Sequence, residues 1–568
     1  MDEREILTRF KDGTLDRRQA VALLTPGVSA GPVAAPAGGV LDGPDVPAAP
    51  VVQDVPALPS APSVPAAREP AAAQAPVAVV GMAGRFPQAP DLAAYWRLLC
   101  TGRGAAAAPP PGRPGTEPGH YLERVADFDA EFFGLDPGEA ALTDPRARLL
   151  LETAWEAFED AGCTGARLDA LRAPDGTPRG VGVFVGAGAG DWPLLAAEAG
   201  VEPGGGHWDM ANSVSRVLGL TGPSQCVDTA EASVPTALHL ALAALERGEC
   251  AAALVGGVHL LLHRWSLRPG AGEAVGALLL KPLERALADG DTVHAVVRGS
   301  VAAHAESGVL GAALERAAVA EEDLGLRETA ACAQPSVGSG GPATGLALLL
   351  RAVLQLRHGV LVPAPGRAVA GPWTHPAPSE PRRAVAGLRG AGGVDAQVVL
   401  EEYPPTAPRH DGAVRAAGRA ELVVLSGPTP RHVTATAQRL AQWLRAGCEV
   451  PGLGAVARGL RTGRAAMDCR FAVVVHGVEE LVRVLEDPSC ADLRGGQRDP
   501  MCLGEAAETA AYLTALWHGG RLGQVRDLWL SGVDVDWAAL EAAPGAGAVS
   551  VPVPPSALLP TALWLPAR

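Results

Sequence analysis

Side chains able to do chemistry are unevenly supplied in this chain. Lys11 and Lys281 are the only lysines among 47 basic residues, and neither sits in a run that looks like a site, so amine nucleophiles have two weak candidates. The nine cysteines show no CxxC pair and no histidine interleaving, which leaves neither a disulfide framework nor a zinc site. Ser233 is a hydroxyl with no neighbouring base. His294 and His304 follow Asp291 without a Cys or Ser beside them and read as ordinary core or surface residues. The glycine-rich stretches Gly186 to Gly190 and Gly338 to Gly341 lack a following Lys-Ser or Lys-Thr. They read as tight turns, not phosphate loops.

The elements that must position any site come next. At 568 residues the chain is long enough for two domains or for one large domain with appendages. Aromatics make up only 4%, so packing must rest on Ala, Val and Leu. A net charge of −15 argues against gripping a phosphate backbone, and nucleic acid is not an expected partner. Met1-Asp2-Glu3-Arg4-Glu5 leads into no apolar stretch, and no later run of about 18 apolar residues occurs, so neither export nor membrane insertion is expected. With the unpaired cysteines, this points to a reducing cytoplasm.

Residues 3–24 place Ile6, Leu7, Phe10, Leu15, Val21 and Leu24 on two short amphipathic helices split at Asp12-Gly13, a candidate docking segment spanning 1–24. Residues 25–75 are rich in Pro and Ala and aperiodic, as an extended linker is. From Val77 to about Tyr403, strand-like runs such as Gly182 to Gly186, Ala252 to Gly257 and Ala396 to Leu400 alternate with helical runs such as Pro235 to Arg247. That alternation favours an α/β layered fold. A second unit over 415–545 opens with the strand Leu422 to Ser426 and the helix Arg431 to Arg445. A Pro-rich tail over 546–568 ends the chain like a surface strap.

Five stretches, in order, carry a resemblance. They are Val79-Val80-Gly81-Met82-Ala83-Gly84-Arg85-Phe86-Pro87 with Trp96; Phe132-Phe133-Gly134 with Asp144-Pro145-Arg146 and Arg148 to Gly162; Gly182 to Gly186; Gly222-Pro223-Ser224 with Val227-Asp228-Thr229-Ala230 and the helix around Ala237-Leu238-His239-Leu240-Ala241; and Ala286 to Asp291 with Val296 to Ser300. Together they span 76–405 and resemble the ketosynthase (beta-ketoacyl synthase) domain of modular type I polyketide synthases. Arg464, Met467, Arg470, Trp529 and Gly532 to Trp537 resemble the linker that follows such domains. The resemblance implies a thiolase-like α/β/α/β/α sandwich over 76–405, then a small α/β linker domain.

The same resemblance implies chemistry that the residues do not supply. A condensing ketosynthase needs a thiolate at a helix N-terminus to exchange thioesters, and two histidines for malonyl decarboxylation. The thiolate position, after Asp228-Thr229-Ala230, holds Glu231, and Cys226 lies five residues earlier on the incoming strand, where it reads as structural. The first histidine position falls on Ala330 and the second on Ser339; the lysine between them falls on Gln334, and a later histidine on Gln397. The segments Trp265 to Glu273 and Glu328 to Ser336 are shortened. That removes pocket walls as well as reactive atoms.

Glu231 invites three readings. As a carboxylate at a helix N-terminus it is expected to be a structural cap held as the anion by unpaired N–H groups; it could also be a general base, or idle. Some relatives carry Gln here and decarboxylate malonyl units, but an ionised Glu cannot donate to an oxyanion. His239 matches a noncatalytic helix histidine of the family.

The reading that follows is a catalytically silent ketosynthase-like partner in polyketide assembly. No bound cofactor or metal is expected beyond the phosphopantetheine of a partner carrier protein. Partners are an acyl carrier protein or another synthase subunit, with the chain in a homodimer or a heterodimer with a ketosynthase. The alternative is a non-condensing enzyme using Glu231 as general base on a carrier-bound chain, for dehydration, cyclisation or hydrolysis.

Overall fold

The computed structural model describes residues 73–305, 307–377, 380–403, 420–446, 452–487, 493–494, 506–541 and 553–566. The chain divides into two units, Met1–Ala67 and Arg68–Arg568. The first unit, with the docking helices expected over 1–24 and nearly all of the linker over 25–75, lies outside the described residues.

In chain order the strands are β1 (Val77–Arg85), β2 (Asp127–Phe128), β3 (Val181–Gly186), β4 (Ser224–Val227), β5 (Ala252–His259), β6 (Ala274–Pro282), β7 (Ala295–His304), β8 (Leu326–Glu328), β9 (Val360–Leu361), β10 (Gly371–Pro372), β11 (Arg383–Arg389) and β12 (Val394–Glu401). The helices that matter for the site are α1 (Leu92–Thr101), α2 (Pro145–Asp160), α3 (Asp209–Leu218), α4 (Ser233–Glu246), α5 (Val309–Ala317), α6 (Ala330–Val337) and α7 (Pro342–His358). Strands β1, β3, β5 and β6 are aliphatic runs buried on both faces, as central strands of a covered sheet must be.

The main sheet runs β4-β3-β5-β6-β1-β7-β12-β11-β8. Divided at the short β1/β7 pairing, it yields two halves of like order, β4-β3-β5-β6-β1 and β8-β11-β12-β7. In each half the outer strands pair in parallel and the inner ones antiparallel. Helices α4 and α7 touch each other and strands of both halves, while α2 covers the outer face of the first half and α5 that of the second. This gives α/β/α/β/α layering. Ala and Gly let the layers approach closely: a Cβ at Gly81 would overlap the Ala157 carbonyl of α2.

The halves differ in one respect. Among the described residues no strand pairs on the far side of β8, so the second half is one strand short. There the chain passes from β8 through α6 directly into α7, in the segment whose shortening the sequence displays.

Beyond Tyr403 a second sheet, β13 (Glu421–Gly427), β14 (Cys469–Val475) and β15 (Leu493–Arg494), is antiparallel in that order. Alternation along β13 sends Val423 and Leu425 toward α8 (Pro430–Ala446), α9 (Leu453–Thr462) and α10 (Val478–Glu486). It sends Leu422 and Val424 toward α11 (Ala507–His518) and α12 (Leu522–Leu530). The arginines of the linker-like motifs clip this unit together: Arg470 stacks 4.2 Å over Trp529, donates to the Trp529 and Val533 carbonyls, and pairs with Asp534 at 2.6 Å.

The described tail, 553–566, runs back over the first domain, where β16 (Thr561–Ala562) pairs with β2. Glu159 accepts from Ser556 N (2.6 Å) and Ser556 Oγ (2.7 Å). Arg464 donates to the Glu159, Val553 and Pro554 carbonyls. His432, at the start of α8, meets Asp129 at 2.8 Å, and Asp129 also accepts from Phe132 N and Leu559 N.

Candidate functional site

Between β4 and α4 the backbone turns sharply. Ala230 sits at φ +57°, a region that residues with a Cβ seldom adopt. Ser233 holds it there: its Oγ donates to Ala230 O (2.6 Å) and accepts from Thr229 N (2.9 Å). Ser233 is fully buried and its hydroxyl is used in both directions, which makes it a clip for the turn and not a nucleophile. Asp228 Oδ1 accepts from Ala230 N at 3.1 Å. Gly390, on the loop joining β11 and β12, lies directly over this turn; a Cβ there would overlap the Thr229 carbonyl.

Glu231 follows the turn, half-buried, and its Oε2 accepts from Ala391 N at 2.8 Å. It does not cap α4, contrary to the expectation from sequence. The helix starts at Ser233 after Ala232, which makes no side-chain cap. The physical reason is local. The turn carbonyls of Thr229 and Ala230 already take the N–H groups of Ala232 and Ser233, so the carboxylate crosses to the facing loop instead. A backbone donor aimed at the turn is thereby consumed by the side chain that stands in the thiolate position.

Two residues that sequence reasoning left without a role share the electrostatic neighbourhood of Glu231. His259 ends β5, with its ring against Gly341 on the approach to α7. Burial and then Arg146 push its pKa down to about 4, against the pull of Asp191 and Glu231. It is therefore a neutral imidazole near pH 7. Arg146 is gripped by Asp144 (Nε to Oδ2 3.1 Å, Nη2 to Oδ2 2.8 Å) and donates through Nη1 to Gly188 O at 2.8 Å. The Gly186 to Gly190 stretch wraps around this guanidinium, and a Cβ at Gly190 would overlap it. That glycine requirement was the one signal in the sequence, visible only as a turn. His259 gave none, being an isolated histidine at a strand end.

The other singled-out positions are placed as follows. Ser339 is exposed on the loop entering α7 and donates its N–H to Gly270 O at 2.6 Å, while His259 touches Gly341 two residues later. Ala330 is exposed at the first turn of α6, and Gln334 on the same helix is also exposed. Gln397 on β12 donates to Asp395 at 2.8 Å. Cys226 on β4 lies 3.5 Å from His207, and burial pushes its thiol up to about 11 although Arg146 pulls the other way. His239 pairs with Ser300 Oγ at 2.8 Å, and the buried His294 pairs with Asp160 at 2.8 Å. Among the described residues no group of three or more His, Cys, Asp or Glu could hold a metal ion. Among them, too, no helix is long and apolar enough to cross a membrane.

This geometry has known counterparts. Residues 74–271 match the family described as beta-ketoacyl synthase, N-terminal domain, and residues 424–492 match the RhiE-like, KS-MAT linker domain. The ketosynthase from module 6 of the bacillaene synthase of Bacillus subtilis 168 superposes with a TM-score of 0.75 at 26% identity, covering 86% of this chain and 100% of that one. The chain has the ketosynthase fold. The oxazolomycin ketosynthase domain of Streptomyces albus JA3453 superposes with a TM-score of 0.72 at 28% identity, over 86% of this chain and 99% of that one. Polyketide synthase ThaG of Burkholderia thailandensis is 32% identical over 88% of this chain, and the chain spans 11% of that relative's length. The ketosynthase fold is present, and the residue that follows Ala230 at the turn before α4 is Glu231.

Proposed function

We propose that this chain of ketosynthase fold is catalytically silent for condensation and serves a cytoplasmic polyketide assembly line as scaffold or pairing partner. One observation carries the reading: Ala230 and Ser233 keep the turn in its strained shape, while Glu231 at its tip bonds to Ala391 and offers no acyl acceptor. Cys226, the nearest thiol in sequence, is no substitute, because its thiol is held protonated well above neutral pH.

An active ketosynthase, a second copy of this chain, or an acyl carrier protein bearing phosphopantetheine would be the partner. Supporting a pairing role, β4 is the outer strand of the sheet, with Gln225 exposed and, among the described residues, no strand on its outer side. Such an edge is a template for another strand.

A second reading rests on His259. Its ring lies within the field of the Glu231 carboxylate, and such a carboxylate and neutral imidazole could move a proton on a carrier-bound chain for dehydration, cyclisation or hydrolysis. Intact-mass spectrometry of the full chain and of Glu231→Gln, after incubation with acyl- and malonyl-carrier thioesters, separates the two. The scaffold reading expects no adduct on the protein and no change in the carriers. A Glu231-dependent mass change on the carrier-bound chain would overturn it in favour of general-base chemistry.

A further inference from the structure

The half of the sheet that lacks a strand contains a cavity. About 270 Å³ opens between the end of α1, helix α6, the start of the segment after β9, and Arg351 on α7. It is separate from the Glu231 turn. Gly345, which packs on Glu231 O, lies six residues before Arg351, or about 9 Å along α7. Leu99, Pro335, Pro363 and Ala364 supply apolar walls.

The charge in this cavity is one-sided. Arg351 is 2% exposed; its Nε is bound to Glu328 at 3.0 Å and its Nη2 reaches Pro363 O at 3.4 Å. Glu328 is held at both oxygens, the second accepting from Gln355 at 2.6 Å. Among the described residues no partner is found for Nη1 of Arg351, although the residue lines the cavity. A buried guanidinium that lines an open space and has donor capacity left over invites an acceptor. At the mouth, Arg103 and Arg367 add two more positive charges, and neither pairs with a carboxylate among the described residues. Three guanidinium groups against one carboxylate leave the cavity an anion site with greasy walls.

We propose that this cavity binds a small aliphatic carboxylate, its head on Nη1 of Arg351 and its chain along Leu99, Pro335 and Pro363. A monoanion fits better than a phosphate dianion, because Arg351 already shares its charge with Glu328 and the Leu99, Pro335 and Pro363 walls suit an aliphatic chain. An apolar cavity of about 150 Å³ takes benzene, so this volume has room for an acid of about six to eight carbons. Cys332, 7% exposed and lining the cavity, is a built-in reporter.

The test uses the full chain with hexanoate and its neutral isostere hexanamide. Ligand-observed NMR titration reads binding directly, and site-resolved iodoacetamide labelling reads shielding of Cys332, with the half-buried Cys100 as internal control. Hexanoate is expected to slow Cys332 labelling at least fivefold while leaving Cys100 unchanged, and to bind at least tenfold more tightly than hexanamide. Arg351→Lys, which keeps a cation for Glu328 but loses the free arm, should abolish the tenfold preference. Should that variant fail to fold, Ala331→Trp, which adds bulk at an exposed position of the rim, should remove hexanoate binding in a folded protein. Equal binding of acid and amide, no binding of either, or undiminished hexanoate binding by Ala331→Trp would overturn the proposal.

Discussion

At the seam where the ketosynthase domain, the linker and the tail meet, Asp129 and Glu159 are each 2% exposed, and every carboxylate oxygen accepts a hydrogen bond. At the turn before α4, Glu231 stands half-buried with a single bond to a backbone amide. Both places put a carboxylate near a histidine. At the seam His432 is one of three groups ordering Asp129, so the pair joins segments that are far apart in the chain; at the turn His259 is neutral and gives Glu231 no hydrogen bond. The contrast teaches that the seam uses its buried carboxylates to join distant segments, whereas the turn leaves its carboxylate a single bond. Cutting a contact should therefore matter most where no chemistry was ever expected.

The largest effect is predicted at the seam. His432→Ala takes from the buried Asp129 carboxylate its side-chain partner, leaving only the Phe132 and Leu559 N–H groups, and should cost about 3 kcal/mol or more in urea unfolding of the full chain. A loss below about 1 kcal/mol would mean that the seam is not a structural bond, and would erase the contrast.

A middle-sized effect is predicted from His259. Its folded pKa is about 4 against 6.5 for the free group, so between those values the unfolded chain binds the proton and the folded one does not. Stability conferred by keeping it neutral is complete above pH 6.5 and falls as pH drops toward 4. Thermal melts across this window should show a slope that His259→Asn flattens; an unchanged slope would show that the imidazole is not shielded. Asp160 adds a lower limb: although burial acts to raise its pKa, His294 and the Met82 N–H hold the carboxyl below its usual value of 3.8, so its contribution is present above 3.8 and fades below it.

The smallest effect is predicted for Glu231 itself. Gln at this position can still accept from Ala391 N, so Glu231→Gln should change unfolding free energy by less than about 0.5 kcal/mol, and Glu231→Ala by about 1 kcal/mol. A loss of about 3 kcal/mol for either would make Glu231 a structural keystone and bring the turn level with the seam.

Much of the fold was legible because it rests on local pattern. Aliphatic runs such as Val181 to Gly186 and Ala274 to Leu280 are too continuous for a one-sided sheet, and the core helix α4 starts within two residues of the expected Pro235. That Glu231 and not a cysteine follows Asp228-Thr229-Ala230 was legible for a simpler reason, since the type of one residue needs no coordinates. Where Glu231 points was not legible. Helix-end chemistry predicted a cap, but the left-handed Ala230 hands the first N–H groups to turn carbonyls and sends the carboxylate to a loop 160 residues away. Nor could Arg146 and His259 be assigned to the same neighbourhood, because β5, α2 and the loop before α7 converge there only once the sheet has formed.

From the amino-acid sequence by itself follow the layered α/β class, the order of elements, the ketosynthase resemblance and the presence of Glu231 after Asp228-Thr229-Ala230, all of which depend on residue type and short-range period. Only the tertiary structure decided that Glu231 bonds across to Ala391, that Asp129, Glu159 and Arg464 tie the tail and linker to the first domain, and that a missing strand beside β8 accompanies a basic cavity at Arg351. Those features are contacts between residues tens to hundreds of positions apart. Their geometry is set by the packing of whole layers, which no local rule encodes.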